Sequence, residues 1–252
     1  MRQDELSSSL KDCVQRELVS DVAVLFSGGL DCSLVTHLAA SYASLSLYTV
    51  GYEGSHDLKA GEKMAKEMGL PWYPILIDDS KVRAGISFLR STLQLHDPLT
   101  ISFELPMYFV CSSVPQPMLL SGQGADELFG GYARYVSMND DVRGKAMRGD
   151  QDRLVAEGYP REALLAKAFG KTLSCPYLCP KVMIIARLYS PGELIGPEGN
   201  KLPLRRLASD LGLSSSSSPK KAAQYGSGIM NAMKRMASRE GVPLSEWVQG
   251  IE

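Results

Sequence analysis

Five consecutive apolar residues, Val22-Ala23-Val24-Leu25-Phe26, run without a break into Ser27-Gly28-Gly29. An apolar run of this kind is a strand buried on both faces, and the glycines that close it mark a sharp turn. Residues 30–43 then place Leu34, Val35, Leu38 and Ala39 on one helical face. The alternation continues through strand 45–51, helix 57–69, strand 72–77, helices 81–95 and 105–113, and strand 117–120. An acidic cap opens helix 57–69, and a glycine ahead of Pro71 closes it. The pattern predicts a parallel sheet with helices on both faces, a Rossmann-like α/β fold that binds ligands at the carboxyl ends of its strands.

After Tyr135 the pattern changes. Residues 139–157, 160–170, 179–190, 202–212 and 222–240 read as helices, with no strand predicted. The serine run 214–218 reads as a flexible loop. The expected organisation is an α/β core over 1–135, with a helical extension at 1–20. A mostly helical part over 136–252 completes the site.

Several classes are disfavoured at once. No apolar run reaches the roughly 20 residues a membrane span needs. The start MRQDELSSSLKD has no apolar signal core. A soluble cytoplasmic protein with no membrane partner is expected. A formal net charge of -1 gives no field for non-specific nucleic-acid binding. The cysteines, Cys13, Cys32, Cys111, Cys175 and Cys179, are odd in number and irregular in spacing, which predicts reduced thiols. Cys175 and Cys179 (CPYLC) are either half a metal site or two small apolar residues beside prolines; with no second CxxC or His pair, the latter is favoured. His37, His56 and His96 are scattered and read as structural.

Two segments carry chemistry. SGGLDCS, residues 27–33, lies between a buried strand and a helix. Adjacent glycines let the main chain approach a ligand, and a helix N-terminus offers unpaired amides to an anion. Ser27 and Ser33 add hydroxyls. Asp31 would repel a phosphate unless a divalent cation lay between them. The lysine of a Walker loop is missing. SGQGADELFGGYARY, residues 121–135, again follows a strand with glycines and an acidic pair, Asp126-Glu127. Because strand ends of a parallel sheet share one edge, Asp31 and Asp126 are expected to share one Mg²⁺. Taken alone, each segment could be only a turn and a helix cap.

SGGLDCS resembles the pyrophosphatase loop SGGxDS, and SGQGADELFGGY is similar to the second signature of asparagine synthetases and β-lactam synthetases. VGYEGSHDLKAGEKMAKEMG (50–69), CPYLC (175–179) and PKKAAQYGSG (219–228) also look like segments of that family, over roughly residues 20–240. The resemblance implies an adenine nucleotide α-hydrolase-like fold and a ligase of the kind used in asparagine biosynthesis. Such an enzyme forms an acyl-adenylate from a carboxylate and ATP, releases pyrophosphate and lets an amine attack. It implies that Ser27, Gly28, Gly29, Asp31, Cys32 and Ser33 hold pyrophosphate, with Asp31 and Asp126 on magnesium. Leu25, Val50 and Gly51 would flank adenine and ribose, and Ser121-Gly122 would lie by AMP. Lys220 or Lys221 would neutralise charge on the phosphates.

Three departures from the family pattern matter, the first two on the acceptor side. Gln123 stands where the family has a glutamate proposed as base; an amide takes no proton at neutral pH but can orient an amine. Thr172, Ser174 and Cys179 stand where Glu, Arg and Asp are expected. Cys32 replaces the usual serine of the loop. ATP cleavage is expected to be retained, with altered acceptor chemistry on a small carboxylic acid. The chain begins Met1-Arg2 with about 20 residues before the first strand, so no glutaminase domain is expected. Nitrogen would come from free ammonia, a separate glutaminase subunit or an amine substrate; a homo-oligomer is left open. Two other readings remain. One is tRNA adenylylation for thiolation, favoured by a basic run (Lys201, Arg205, Arg206, Lys220, Lys221, Lys234, Arg235, Arg239). The other is an ATP-binding protein without turnover, motivated by Gln123.

Overall fold

The computed structural model describes residues 2–217 and 223–251. The chain opens with α1 (Arg2–Glu17), β1 (Asp21–Leu25), α2 (Leu30–Ala39), β2 (Ser44–Gly51), α3 (His56–Met68) and β3 (Trp72–Leu76). It continues through α4 (Asp79–Leu93), α5 (Pro98–Ser113), β4 (Met118–Leu120), α6 (Ala125–Phe129), α7 (Asp140–Arg153) and α8 (Tyr159–Ala168). Then come β5 (Thr172–Ser174), α9 (Pro180–Ala186), α10 (Pro191–Leu194), α11 (Leu202–Asp210), α12 (Ala223–Gly226), α13 (Ile229–Arg239) and α14 (Leu244–Gln249).

All five strands are parallel, in the order β3-β2-β1-β4-β5. Side chains alternate across β1. Val22 and Val24 enter one core with Leu6, Leu34 and Leu204, while Ala23 enters another with Ile86, Leu105 and Met233. Both faces are covered, which is why the strand reads as one unbroken apolar run. The α/β class is therefore as the sequence predicts. The chain lays β2 and β3 on one side of β1, then returns to lay β4 and β5 on the other. In sheets of this kind ligands bind at such a reversal, here beyond the carboxyl ends of β1 and β4.

The structure corrects five expectations. A strand does follow Tyr135: β5 pairs in register with β4, Leu119 opposite Leu173. Three residues are too short to show a period, and tertiary pairing alone makes them a strand. Helix α5 begins at Pro98, well before residue 105. Asp97 accepts the Thr100 N–H at 2.8 Å, and Pro98 sits in the first turn, a good helix start, whereas Pro106 lies inside the helix. The predicted helix 222–240 is broken into α12 and α13 at Ser227-Gly228, where Gly228 has φ +87°. Residues 214–217 of the serine run form a 3-10 turn with Ser215 fully buried, and Ser214 N–H donates to Glu67 Oε1 at 2.9 Å. The Ser214 N–H and hydroxyl both find Glu67 of α3, so a run without apolar content is still held. Helix α3 is preceded by Ser55 at its N-cap, so Asp57 lies in the first turn, not at the cap.

The expectation of five reduced thiols is also overturned. Cys13 on α1 and Cys179, just ahead of α9, form a disulfide across 166 positions of sequence, while Cys32, Cys111 and Cys175 are buried free thiols. Leu6, Leu10 and Val14 seat α1 in the same core as Val182 of α9, and cysteine spacing carries no trace of that contact. Closing so long a loop should contribute roughly 2–4 kcal/mol. Cys13→Ser should lower the denaturant midpoint accordingly, and a midpoint that does not move, with or without reductant, would remove that contribution. No described helix is long and apolar enough to cross a membrane.

Candidate active site

The loop after β1 is shaped by what it cannot accommodate. Gly28 has φ +70°, and a Cβ there would fall 2.3 Å from the Ala60 carbonyl oxygen and 2.7 Å from the Gly61 nitrogen. The loop backbone thus lies directly on α3. Gly29 is the extended residue ahead of α2, and no side chain caps the first amides of that helix. Cys32 turns inward: its thiol donates to the Gly29 carbonyl at 3.3 Å and lies 3.5 Å from Ser27 Oγ. Burial pushes that thiol's pKa up, so it stays protonated as an internal brace.

The loop after β4 closes against the first. A Cβ on Gly122 would lie 3.0 Å from both the Asp31 carbonyl carbon and the Cys32 nitrogen. Fully buried Tyr177, from CPYLC, donates its hydroxyl to the Asp31 carbonyl at 3.2 Å. Asp31 and Asp126, 95 positions apart in sequence, meet at one cation. That cation is the ammonium of Lys201, which pairs with both carboxylates. Lys201 is 3% exposed. Burial pulls its pKa down, but the two carboxylates outweigh this and raise it to about 12. Gly131 makes the convergence fit, since a Cβ there would fall 1.8 Å from Asp126 Oδ1 and 2.1 Å from Lys201 Cε.

The remaining expected residues distribute along the same edge. Leu25 ends β1, Val50 and Gly51 end β2, and Ser121 follows β4 with its N–H on the Ser174 carbonyl at 2.9 Å. Ser33 is fully buried in the first turn of α2. Lys220 and Lys221 lie outside the described residues; beyond them the chain rejoins this edge where Tyr52 N–H donates to the Ser227 carbonyl at 3.0 Å. On the acceptor side, Gln123 Nε2 donates to Glu162 Oε1 of α8 at 2.8 Å. Thr172 is exposed, Ser174 donates to Glu17 of α1 at 2.6 Å, and Cys179 is in the disulfide. None of the three hydrogen-bonds to the Gln123 side chain, which is held by Glu162. Four of the eight residues of the basic run are committed within the chain: Lys201 to the aspartates, Arg205 to the Asn200 and Ser216 carbonyls, and Arg235 and Arg239 to Asp79.

A family profile described as Asparagine synthase matches residues 5–182. The chain belongs to the asparagine synthase family. It is 34% identical over 152 residues to asparagine synthetase B of Escherichia coli, covering 51% of this chain and 27% of that one. It is 30% identical over 232 residues to the asparagine synthetase of Brassica oleracea, covering 81% of this chain and 39% of that one. It therefore spans well under half the length of these asparagine synthetases. Among solved structures, the U34-tRNA thiolase NcsA of Methanococcus maripaludis aligns at 14% identity and a TM-score of 0.43, covering 99% of this chain and 78% of that one.

Three residues of this candidate site escaped sequence reasoning. Lys201 read only as one member of a basic run, and nothing local to Gly199-Asn200-Lys201 announces burial. Tyr177 lay in a segment noted for its cysteines. Glu162 sits on a helix with no motif at all.

Proposed function

We propose that the chain uses ATP to adenylylate a small carboxylic acid, releasing pyrophosphate, and then passes the acyl group to ammonia or an amine. The observation that carries this reading is the convergence of Asp31 and Asp126 on one buried cation at the sheet's switch point. Two carboxylates drawn from separate strand ends to one positive charge suit a divalent ion that takes its other ligands from phosphate and water. Among the described residues no third acidic, His or Cys side chain groups with them, so such an ion would take its other ligands from phosphate and water. Mg²⁺ held by Asp31 and Asp126 would supply neutralisation of the triphosphate.

The chain's own groups account for the rest. Amides at the start of α2, with Ser27 and Ser33, hold the β- and γ-phosphates. Leu25, Val50 and Gly51 flank the adenosine, and Ser121-Gly122 lie beside the α-phosphate. Lys201 is a second cation for the phosphates, and Lys220 or Lys221 a third. The acid's oxygen attacks the α-phosphorus and pyrophosphate leaves with the bonding pair. The amine nitrogen then attacks the acyl carbon, AMP leaves with its oxygen, and the nitrogen loses a proton.

Isotope exchange between pyrophosphate and ATP tests the first half. A panel of small acids, including L-aspartate, L-glutamate and their β- and γ-analogues, should contain at least one that stimulates exchange at least tenfold over ATP alone. ATP binding without acid-dependent exchange across the panel would overturn the ligase reading.

A further inference from the structure

The acceptor side lacks a carboxylate at position 123, yet a carboxylate reaches that position from elsewhere. Gln123 directly follows Gly122, whose Cα lies on the Asp31–Cys32 backbone, so its side chain leaves the main chain beside the proposed phosphate loop. Its own N–H donates to Ser121 Oγ at 3.2 Å, fixing the turn. Its side-chain Nε2 donates to Glu162 at 2.8 Å. The Gln123 carbonyl oxygen accepts no hydrogen bond from any described residue.

The orientation of α8 is itself fixed. Arg161, one residue before Glu162, donates to Glu104 of α5 at 2.6 Å, and Glu104 is 2% exposed. Consecutive helical residues point about 100° apart, so anchoring Arg161 on α5 directs Glu162 towards Gln123. Leu165 and Ala166 complete the seating of α8 in the core it shares with α5.

A carboxylate oxygen, or the carbonyl oxygen of a protonated carboxyl, accepts from an amide NH₂, whereas the amide itself donates at one end and accepts at the other. We propose that Glu162 is a positioning residue for the acceptor: by holding the Gln123 NH₂ it turns the Gln123 carbonyl towards the attacking nitrogen, and so selects an N–H-rich nucleophile, ammonia or a primary amine. This rests on the amide-forming reading above. Burial and the Glu104 carboxylate raise the pKa of Glu162, with Arg161 opposing them.

A charge swap tests the assignment, with ammonium chloride as nitrogen source and the acid that best supports exchange. Glu162→Gln leaves two amides facing each other, either of which can donate or accept, and frees the Gln123 orientation, so the KM for ammonium should rise about tenfold, the worth of one buried hydrogen bond. Gln123→Glu alone sets two carboxylates in contact and should lower the melting temperature. The double variant Gln123→Glu/Glu162→Gln rebuilds an amide–carboxylate bond in reverse and should bring both the ammonium KM and the melting temperature back towards the unmutated values. A purely structural role would restore the melting temperature without restoring KM, and would overturn the proposal. So would an unchanged ammonium KM in Glu162→Gln. If that variant is insoluble, Glu162→Asp should give an intermediate KM, and no shift there rejects the assignment. Absence of acid-dependent exchange in the unmutated chain defeats the amide-forming reading itself, whereas exchange with an indifferent ammonium KM defeats only this inference.

Discussion

Asp126→Asn should reduce acid-dependent ATP–pyrophosphate exchange by about a thousandfold, and Asp31→Asn by a similar factor, the scale expected when a charge-stabilising contact to a transferring group is lost. The fold should survive either change. Lys201 is paired with both carboxylates, so each single variant leaves it one counter-charge, and melting temperatures should stay within a few degrees of the unmutated chain. The double variant is different. It strands a 3% exposed ammonium with neither carboxylate, and breaking a buried pair in this way costs about 3–5 kcal/mol. A circular-dichroism melt on all three variants, beside the exchange assay, separates lost chemistry from lost structure. Full exchange in Asp126→Asn would falsify the assignment of the two aspartates to one ion.

Gly28→Ala should be as damaging to folding as the aspartate variants are to turnover. A methyl group there meets main-chain atoms of Ala60 and Gly61, which cannot rotate away as a side chain can. The left-handed backbone adds a further cost. Together these predict a loss of about 3–5 kcal/mol, with weakened ATP binding in whatever folds, because relief of the clash must lift the loop from α3. Gly29→Ala is the control: φ is ordinary there and the nearest atom to a Cβ is Ser27 Oγ at 3.4 Å. Equal stability of the Gly28 and Gly29 variants would contradict the close packing of loop on helix.

Much of the site was legible because its signals are local. The apolar run 22–26, the glycines after it and the carboxylate at 31 lie within ten residues, and a buried strand entering a glycine turn has few other structural solutions. The second loop, 121–131, is legible for the same reason. Its pairing with the first also followed from general rules, since strands of one parallel sheet end on one edge.

What escaped depends on contacts between distant segments. Lys201 resembles any surface lysine until α11 is docked against the second loop, and only then do two carboxylates surround it. Glu162 belongs to a helix whose rotation is set by Arg161 on Glu104, a contact spanning 57 positions. Cys13 meets Cys179 because two helices share a core, and β5 becomes a strand because β4 offers it an unpaired edge.

The sequence by itself determined the class of fold, the two glycine loops and the carboxylates on them, because backbone freedom, apolar periodicity and helix capping act over a few residues. Only the tertiary structure decided which charges face one another. The free energy of a buried ion pair or an amide–carboxylate bond depends on distance and desolvation, and neither exists until the segments that carry the groups have packed.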